Sequence, residues 1–203
     1  MKNLLLVSML AQSIDLVQSA LPNLQGKMVT YIPTAANVED AEGIVEAESQ
    51  LLEKLGLKVQ VLDVAQETPA VIAQCLRTND VIYIGGGNTF YLLQELRRSG
   101  ADLILREVIG AGKLYIGESA GAAIVCPDIG YCAEIDDSTL APALNGDFTA
   151  LGIVTFTIVP HIDNPFMGAG AQNILEKYSS SLLLQAITDE QAIRVQGDAV
   201  TVL

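Results

Sequence analysis

The chain has 203 residues, of which half are hydrophobic and 17% are charged, so its composition excludes a disordered polymer. A chain of this length is predicted to form one domain over residues 1–203. The 11 basic and 24 acidic residues give a net charge of −13, which disfavours nucleic acid and anionic membrane surfaces as partners, because both attract clustered Lys and Arg.

The first predicted element is a buried strand over Asn3–Val7, followed by a loop. Lys2 and the apolar run that ends near Ala11 also resemble a short secretory signal peptide. A single basic residue is a weak start for such a signal, and the following residues have the pattern of ordinary α/β sequence, so we favour the strand. No apolar run reaches the roughly 18 residues that a membrane span needs.

Short apolar runs alternate with helical patterns along the rest of the chain. Residues 39–56 have apolar side chains at helical spacing and a stop at Gly56, and residues 89–112 predict one helix to Ser99 and another to Ile109. The remaining predicted strands are Met28–Ile32, Lys58–Asp63, Val81–Ile84, Leu114–Ile116, Thr155–Val159, Ala192–Val195 and Ala199–Val202. This alternation predicts an α/β fold, with a mostly parallel sheet and helices on both faces. Ligands are expected at the carboxyl ends of its strands.

The three cysteines, Cys75, Cys126 and Cys132, are odd in number and lack a C-x-x-C spacing. With one histidine in the chain, a zinc site is disfavoured, and the chemistry considered below requires no metal or other cofactor. We therefore interpret the cysteines as reduced and packed, which predicts a cytoplasmic protein.

The most informative motif is GESAG at residues 117–121, which follows an apolar strand and precedes a run of small residues. It matches the G-x-S-x-G nucleophile elbow, in which a strained turn exposes a serine hydroxyl, here that of Ser119, above the sheet. The two glycines are expected because the turn brings backbone segments too close for a Cβ. The alternative is an ordinary strand-to-helix turn in which Ser119 caps the helix, and the five residues alone leave it open.

The only histidine in the sequence is His161, in VPHIDN after the strand that ends at Val159. A serine nucleophile needs a base whose pKa lies near neutrality, so a Ser–His pair in this chain has one candidate base. A histidine packed at a strand end is the alternative. The expected position of His161 at the same sheet edge as Ser119 favours the catalytic interpretation.

The third member of a catalytic triad is a carboxylate that fixes the tautomer of the histidine. The segment between the elbow and His161 offers five candidates: Asp128, Glu134, Asp136, Asp137 and Asp147. Their spacing does not select among them.

A glycine run, GGGNTF at residues 85–90, lies between a predicted strand and a helix, where free backbone N–H groups can hold an anion. The run lacks the Gly-Lys-Ser/Thr of a P-loop and the G-x-G-x-x-G spacing of a dinucleotide site. An oxyanion hole shared with the N–H of Ala120, the residue after the candidate nucleophile, fits it better. A turn that simply requires glycines is the alternative.

Three stretches in order, GGGNTFYLLQELRRSG, LYIGESAGAAIVCP and ALGIVTFTIVPHIDN, resemble the peptidase E family of serine peptidases. The resemblance covers nearly the whole chain and implies a three-layer sandwich like that of the class I glutamine amidotransferases, with a Ser–His–Asp triad. It implies Ser119 as the nucleophile and His161 as the base, with the N–H groups of Gly87 and Ala120 as the oxyanion hole. The acids it suggests, in order of preference, are Asp136, Glu134 and Asp137.

The function implied by this resemblance is hydrolysis of small peptides, dipeptidase-like and with a preference for an N-terminal Asp. Glu118 and Asn88 are the candidate substrate contacts. The chain departs from the aspartyl dipeptidases at two places. Glu118 precedes the serine where their pattern reads G-W-S-A-G, and the loop after CP lacks the basic residue that they have there. A substrate carboxylate needs a cation, so a preference for Asp would require one of three basic residues to reach the site: Arg194, Lys177 or Arg98.

Two other functions remain open at this point. One is an amide hydrolase of the same scaffold that acts on β-aspartyl or cyanophycin-like peptides, and the other is a binding protein without catalysis. The expected ligand of the dipeptidase-like enzyme and of the amide hydrolase is a small peptide. Whether the protein forms a homodimer is left open.

Overall fold

A seven-stranded sheet forms the centre of the protein. The structure is a computed structural model, and it describes residues 1–40 and 42–203. Residue 41, within the helix predicted over 39–56, lies outside the described residues. The strands are β1 (Asn3–Val7), β2 (Met28–Ile32), β3 (Lys58–Val61), β4 (Val81–Ile84), β5 (Leu114–Glu118), β6 (Thr157–Val159), β7 (Leu184–Ala186), β8 (Ala192–Gln196) and β9 (Ala199–Val202). The order across the sheet is β3-β2-β4-β5-β1-β8-β9, and β6 and β7 form a separate pair.

Helices cover both faces of this sheet. Their bounds are α1 (Leu10–Ala20), α2 (Ile44–Lys54), α3 (Pro69–Thr78), α4 (Thr89–Ser99), α5 (Ala101–Gly110), α6 (Ala120–Ala123) and α7 (Gly168–Tyr178). Apolar side chains of α1 and α2 join one buried cluster, whereas those of α3, α4 and α5 join the other. The predicted α/β class, with its mostly parallel sheet between helices, is confirmed.

The first strand shows why its sequence is a continuous apolar run. Leu4 and Leu6 belong to one buried cluster, Leu5 and Val7 belong to the other, and all four side chains are fully buried. Successive side chains of a strand point to opposite faces, so a strand covered on both faces needs apolar residues at every position.

Strand direction decides which residues reach the candidate site. β1 to β5 run parallel, whereas β8 runs antiparallel to β1, with Ala192 paired with Val7. The chain that leads into β8 therefore lies at the edge where the parallel strands end.

Several element bounds differ from the sequence-based expectation. β3 ends at Val61, and the side chain of Asp63 instead accepts hydrogen bonds from Thr34 and Asn37. β5 continues to Glu118, β8 continues to Gln196, and β6 begins at residue 157 rather than 155. The short strand β7 was not predicted. A loop was expected after the first strand, but α1 begins at Leu10, because Leu10, Ile14 and Val17 bury one helical face.

No helix within the described residues is both long and apolar enough to cross a membrane. That residues 1–203 form one domain stays a prediction.

Replacing Leu6 with Ala tests the packing of the sheet against α3 to α5. Leu6 is fully buried, so the truncation leaves a cavity and should lower the free energy of unfolding by about 2–5 kcal/mol. The matched control is Leu103→Ala on α5, because Leu103 is 68% exposed and should change stability by no more than about 0.5 kcal/mol. Urea denaturation monitored by circular dichroism measures both, and equal effects of the two changes would contradict this packing.

Candidate active site

The turn between β5 and α6 holds Ser119 in a strained backbone conformation. Its φ of 49° and ψ of −107° are rare for a residue with a side chain. This is the geometry of a nucleophile elbow, in which the strained residue presents its hydroxyl above the edge of the sheet.

The two glycines that flank Ser119 are required by close backbone approach. A Cβ on Gly117 would lie 2.3 Å from the carbonyl oxygen of Gly121, and a Cβ on Gly121 would lie 2.1 Å from that of Ile84. Both distances are far below a normal contact, so the steric reason given for the G-x-S-x-G pattern applies at both positions.

His161 follows β6 and faces Ser119. Its Nε2 lies 2.9 Å from the Oγ of Ser119, and the residue is only 2% exposed. The backbone of His161 is also constrained, with a φ of 66°, and its N–H donates to the Oγ of Ser8, 3.1 Å away, after the end of β1. The structure therefore brings together the two residues that the sequence suggested as nucleophile and base.

The carboxylate that contacts His161 is Asp189. The Nδ1 of His161 lies 2.6 Å from the Oδ1 of Asp189, whose side chain is 4% exposed. The side-chain amide of Asn164 donates to Oδ2 at 2.7 Å, and the backbone N–H of Asp189 donates to Asp163 at 3.0 Å. These hydrogen bonds hold the carboxylate in a fixed orientation against the ring.

This contact corrects the expectation that Asp136 would lie against His161. The Oδ2 of Asp136 accepts hydrogen bonds from the backbone N–H and the hydroxyl of Thr89, at 2.9 and 2.5 Å, and burial raises the pKa of this carboxyl group. Asp136 lies near the ring without touching it. Thr89 is the first residue of α4, so Asp136 is hydrogen-bonded to the start of that helix.

The other acids considered from the sequence are also engaged elsewhere. Glu134 pairs with Lys177 at 2.6 Å, and Asp137 caps a turn by accepting from the backbone and hydroxyl of Thr139. Asp128 accepts from the N–H of Gly130 at 2.7 Å, and Asp147 pairs with Arg97 at 3.2 Å.

Asp189 was not among the acids predicted from the sequence, which all lie in the segment between Ser119 and His161. It lies after His161 in the chain and directly before β8. Because β8 is antiparallel, the residues before it occupy the same edge as the residues after the parallel strands. Its position shortly before β8, had the antiparallel direction of that strand been predicted, would have indicated Asp189 as a candidate.

The glycine run approaches Ser119 from β4. A Cβ on Gly86 would lie 3.4 Å from the Cβ of Ser119, so this segment passes directly beside the elbow. Gly87 has a φ of 125°, and a Cβ there would lie 2.4 Å from the backbone of Ala35. Ala120 opens α6 immediately after Ser119.

The two residues proposed from the sequence as substrate contacts differ in their surroundings. Asn88 is 1% exposed, and both ends of its amide are used: Oδ1 accepts from the N–H of Tyr91 at 2.9 Å, and Nδ2 donates to the carbonyl of Asp137 at 3.1 Å. Glu118 is 8% exposed, and its Oε1 accepts from the N–H of Leu10 at 2.8 Å.

Glu118 belongs to a buried acidic pair. The hydroxyl of Tyr83 lies within hydrogen-bond distance of both Glu118 and Glu48, and it is 3.2 Å from the latter. Burial and the neighbouring Glu118 raise the pKa of Glu48 from its usual 4.5 to about 8. Burial likewise raises the pKa of the Glu118 carboxyl group. The pair was not foreseen, because Glu48 and Glu118 each lie 35 residues from Tyr83 in the chain.

A cavity of about 510 Å³ opens beside Ser119. It is lined by residues that follow β1, β2, β4 and β5, and by the acidic pair, and His161 also borders it. The three basic residues through which a preference for Asp could arise do not line it. Arg194 binds the carbonyl of Leu4, Lys177 pairs with Glu134, and Arg98 pairs with Glu95.

Sequence comparison identifies relatives, some of which match nearly the whole chain. Residues 4–203 match the model of peptidase family S51. An uncharacterised peptidase of Listeria innocua is 48% identical over 98% of this chain and 95% of its own length. A similar peptidase of Pasteurella multocida is 44% identical over 98% of this chain and 95% of its own. A peptidase E of Shewanella amazonensis is 36% identical over 64% of this chain and 56% of its own.

Solved structures share the fold. A crystal structure from Listeria monocytogenes, of a protein provisionally assigned as peptidase E, has a TM-score of 0.94 at 44% identity and covers 100% of this chain and 98% of that chain. A peptidase from an acI-B1 actinobacterium has a TM-score of 0.71 at 22% identity, with coverage of 100% and 87%, and supports the fold alone. The fold is thus that of a peptidase E structure, in agreement with the class I glutamine amidotransferase-like sandwich.

The raised pKa of Glu48 predicts a pH-dependent stability. An acid whose pKa is higher in the folded than in the unfolded chain binds more protons when folded, so its stabilisation is complete below pH 4.5 and is lost as the pH rises to about 8. Each pKa unit corresponds to about 1.4 kcal/mol. The free energy of unfolding should therefore fall by a few kcal/mol over this range relative to Glu48→Gln, measured by urea denaturation at each pH. Parallel curves for the two proteins would contradict the raised pKa.

Proposed function

The chain belongs to peptidase family S51 and is a serine peptidase, and from that premise we propose that it hydrolyses small peptides with Ser119, His161 and Asp189 as its catalytic residues. The observation that carries the proposal is the continuous chain of contacts from the Oγ of Ser119 through the ring of His161 to Asp189, at 2.9 and 2.6 Å. Nucleophile, base and orienting acid need this order of contacts, whatever their order along the chain.

The first step is attack by Ser119 on the carbonyl carbon of the scissile bond. His161 accepts the hydroxyl proton at Nε2, since this nitrogen is within hydrogen-bond distance of the Oγ. The strained backbone of Ser119 supports the assignment, because strain of this kind is found where a side chain is held ready for reaction.

Asp189 has two tasks in this proposal. It keeps the proton of the neutral ring on Nδ1, which leaves Nε2 free to act as a base, and it stabilises the imidazolium that forms. The hydrogen bond from Asn164 to the other oxygen of Asp189 supports this role, because it prevents the carboxylate from turning away from the ring.

The tetrahedral intermediate requires donors for its oxyanion. We assign this role to the backbone N–H groups of Gly87 and Ala120, which lie on the two segments that flank Ser119. His161 then passes its proton to the leaving amine, and the carbonyl remains bonded to Ser119 as an acyl ester. A water molecule, deprotonated by His161, hydrolyses the ester and regenerates the serine.

The size of the cavity supports a small substrate. A volume of about 510 Å³ is within the range of pockets that enclose small ligands, as expected for a dipeptidase-like enzyme. The preference for an N-terminal Asp is not part of the proposal, because no Lys or Arg of the described residues lines the cavity. A cytoplasmic location is a further proposal that rests on the cysteine content alone.

Replacing Ser119 with Ala should abolish hydrolysis of a dipeptide library while leaving the fold intact. The expected loss in kcat is at least about 10⁴-fold, because no nucleophile remains. Release of free amino acids measures turnover, and circular dichroism measures folding. Turnover by Ser119→Ala at the wild-type rate would contradict the proposed mechanism.

The identity of the acid is tested by a matched pair of substitutions. Asp189→Asn keeps the size of the side chain but favours the wrong tautomer of His161, so kcat should fall by about 10³- to 10⁴-fold. Asp136→Asn makes the same chemical change beside Thr89 and should lower kcat by less than about tenfold. Steady-state kinetics on one peptide decide between them, and a larger loss for Asp136→Asn would reverse the assignment.

A further inference from the structure

The cavity beside Ser119 is strongly acidic. Five of the side chains that line it are carboxylic acids: Glu39, Glu48, Glu118, Asp136 and Asp137. No Lys or Arg of the described residues lines it, and His161 is the only other ionisable side chain on its wall. A bound peptide therefore meets several carboxyl groups and no Lys or Arg side chain next to the reacting serine.

The inner two acids are buried without a cation. Glu48 and Glu118 are 7% and 8% exposed, and neither lies within 4.0 Å of a basic group among the described residues. Both carboxyl groups lie within hydrogen-bond distance of the same hydroxyl, that of Tyr83. Two buried carboxyl groups in contact with one donor can both ionise only if a positive charge joins them, because burial penalises an uncompensated charge.

The position of Glu118 ties this pair to the site of reaction. Glu118 directly precedes Ser119, and the hydrogen bond from the N–H of Leu10 holds its carboxylate at the end of β5. A group bound at Glu118 is thus next to the elbow.

Part of the remaining wall of the cavity is apolar. Met9, Ile44 and Met167 line it, and flexible side chains such as Met adapt to different aliphatic ligands. An aliphatic stem that carries a positive charge at its end matches both parts of the cavity.

We propose that the cavity binds the positively charged end of a peptide, an ammonium or guanidinium group, against Glu48 and Glu118. The inference rests on the proposed function and names its substrate class: peptides with a cation close to the scissile bond. A substrate Asp side chain would meet the same carboxylates and be repelled. The net charge of −13 on the chain adds a long-range attraction for cationic peptides.

The cation can come from the N-terminus of the peptide or from a basic side chain. Either group would bind the carboxyl groups of the acidic pair in the same way. The α-ammonium group is removed by N-acetylation, and the side-chain ammonium of Lys is removed by exchange for norleucine, which keeps the aliphatic stem. Short peptides that carry both, one or neither of these charges therefore distinguish the sources.

Binding of these peptides to the Ser119→Ala protein, measured by isothermal titration calorimetry, tests the inference without turnover. At least one of the two charges should tighten binding by about tenfold or more relative to its neutral counterpart. A peptide with Asp in place of Lys should bind more weakly than one with norleucine. Equal affinity of the charged and neutral peptides, or tighter binding of the Asp peptide, would overturn the inference.

The role of the acidic pair is tested by Glu48→Gln in the same Ser119→Ala background. Gln keeps the size and an acceptor of the side chain but cannot ionise beside a bound cation, so the preference for the charged peptide should fall at least about fivefold. Glu46→Gln is the matched control, since Glu46 lies on the same helix, is exposed and does not line the cavity. It should keep the preference. Retention of the full preference in Glu48→Gln, with its fold verified by circular dichroism, would overturn the assignment to this pair.

Failure of this inference and failure of the proposed function give different results. If Ser119-dependent hydrolysis is observed but charged and neutral peptides bind equally, only the inference is wrong. If no peptide is hydrolysed but the charged peptides still bind more tightly, only the proposed catalysis is wrong.

Discussion

The antiparallel direction of β8 is the constraint on which the candidate site depends. A purely parallel sheet collects at its carboxyl edge only the residues that follow its strands. Because β8 runs against β1, the segment before it reaches the same edge and delivers Asp189 to within 2.6 Å of His161. Ser8, which follows β1, joins this segment to the histidine by donating to the carbonyl of Ile187 and accepting from the N–H of His161.

The same edge contains two residues in unfavourable backbone conformations and a pair of buried acids. Ser119 and His161 both have positive φ values, which are unfavourable for residues with side chains. Close backbone packing at Gly121 and the buried side chains of both clusters surround this edge. Burial raises the pKa of both Glu48 and Glu118, so full ionisation of this pair has an electrostatic cost that a bound cation would reduce. The positive φ values and the buried acids at this edge are thus maintained at some expense to stability.

The sequence predicts those features that depend on local pattern. Continuous apolar strands indicate the layered fold. GESAG and the single histidine suggest Ser119 and His161 as nucleophile and base, and in the structure the Oγ of Ser119 lies 2.9 Å from the Nε2 of His161. Asp189 could not be selected in the same way, because its role depends on the direction of a strand and not on its neighbours in sequence. Glu48 was equally hidden, since its contact with the elbow passes through Tyr83, 35 residues away.

The most direct test of the central claim, that His161 activates Ser119 for attack, is labelling with a fluorophosphonate. Mass spectrometry of the intact protein and of its peptides should find one adduct, on Ser119, at neutral pH. The same reagent should leave His161→Ala unlabelled, because Ser119 then lacks its base. No adduct on Ser119 in the wild-type protein, or equal labelling of His161→Ala, would contradict the account.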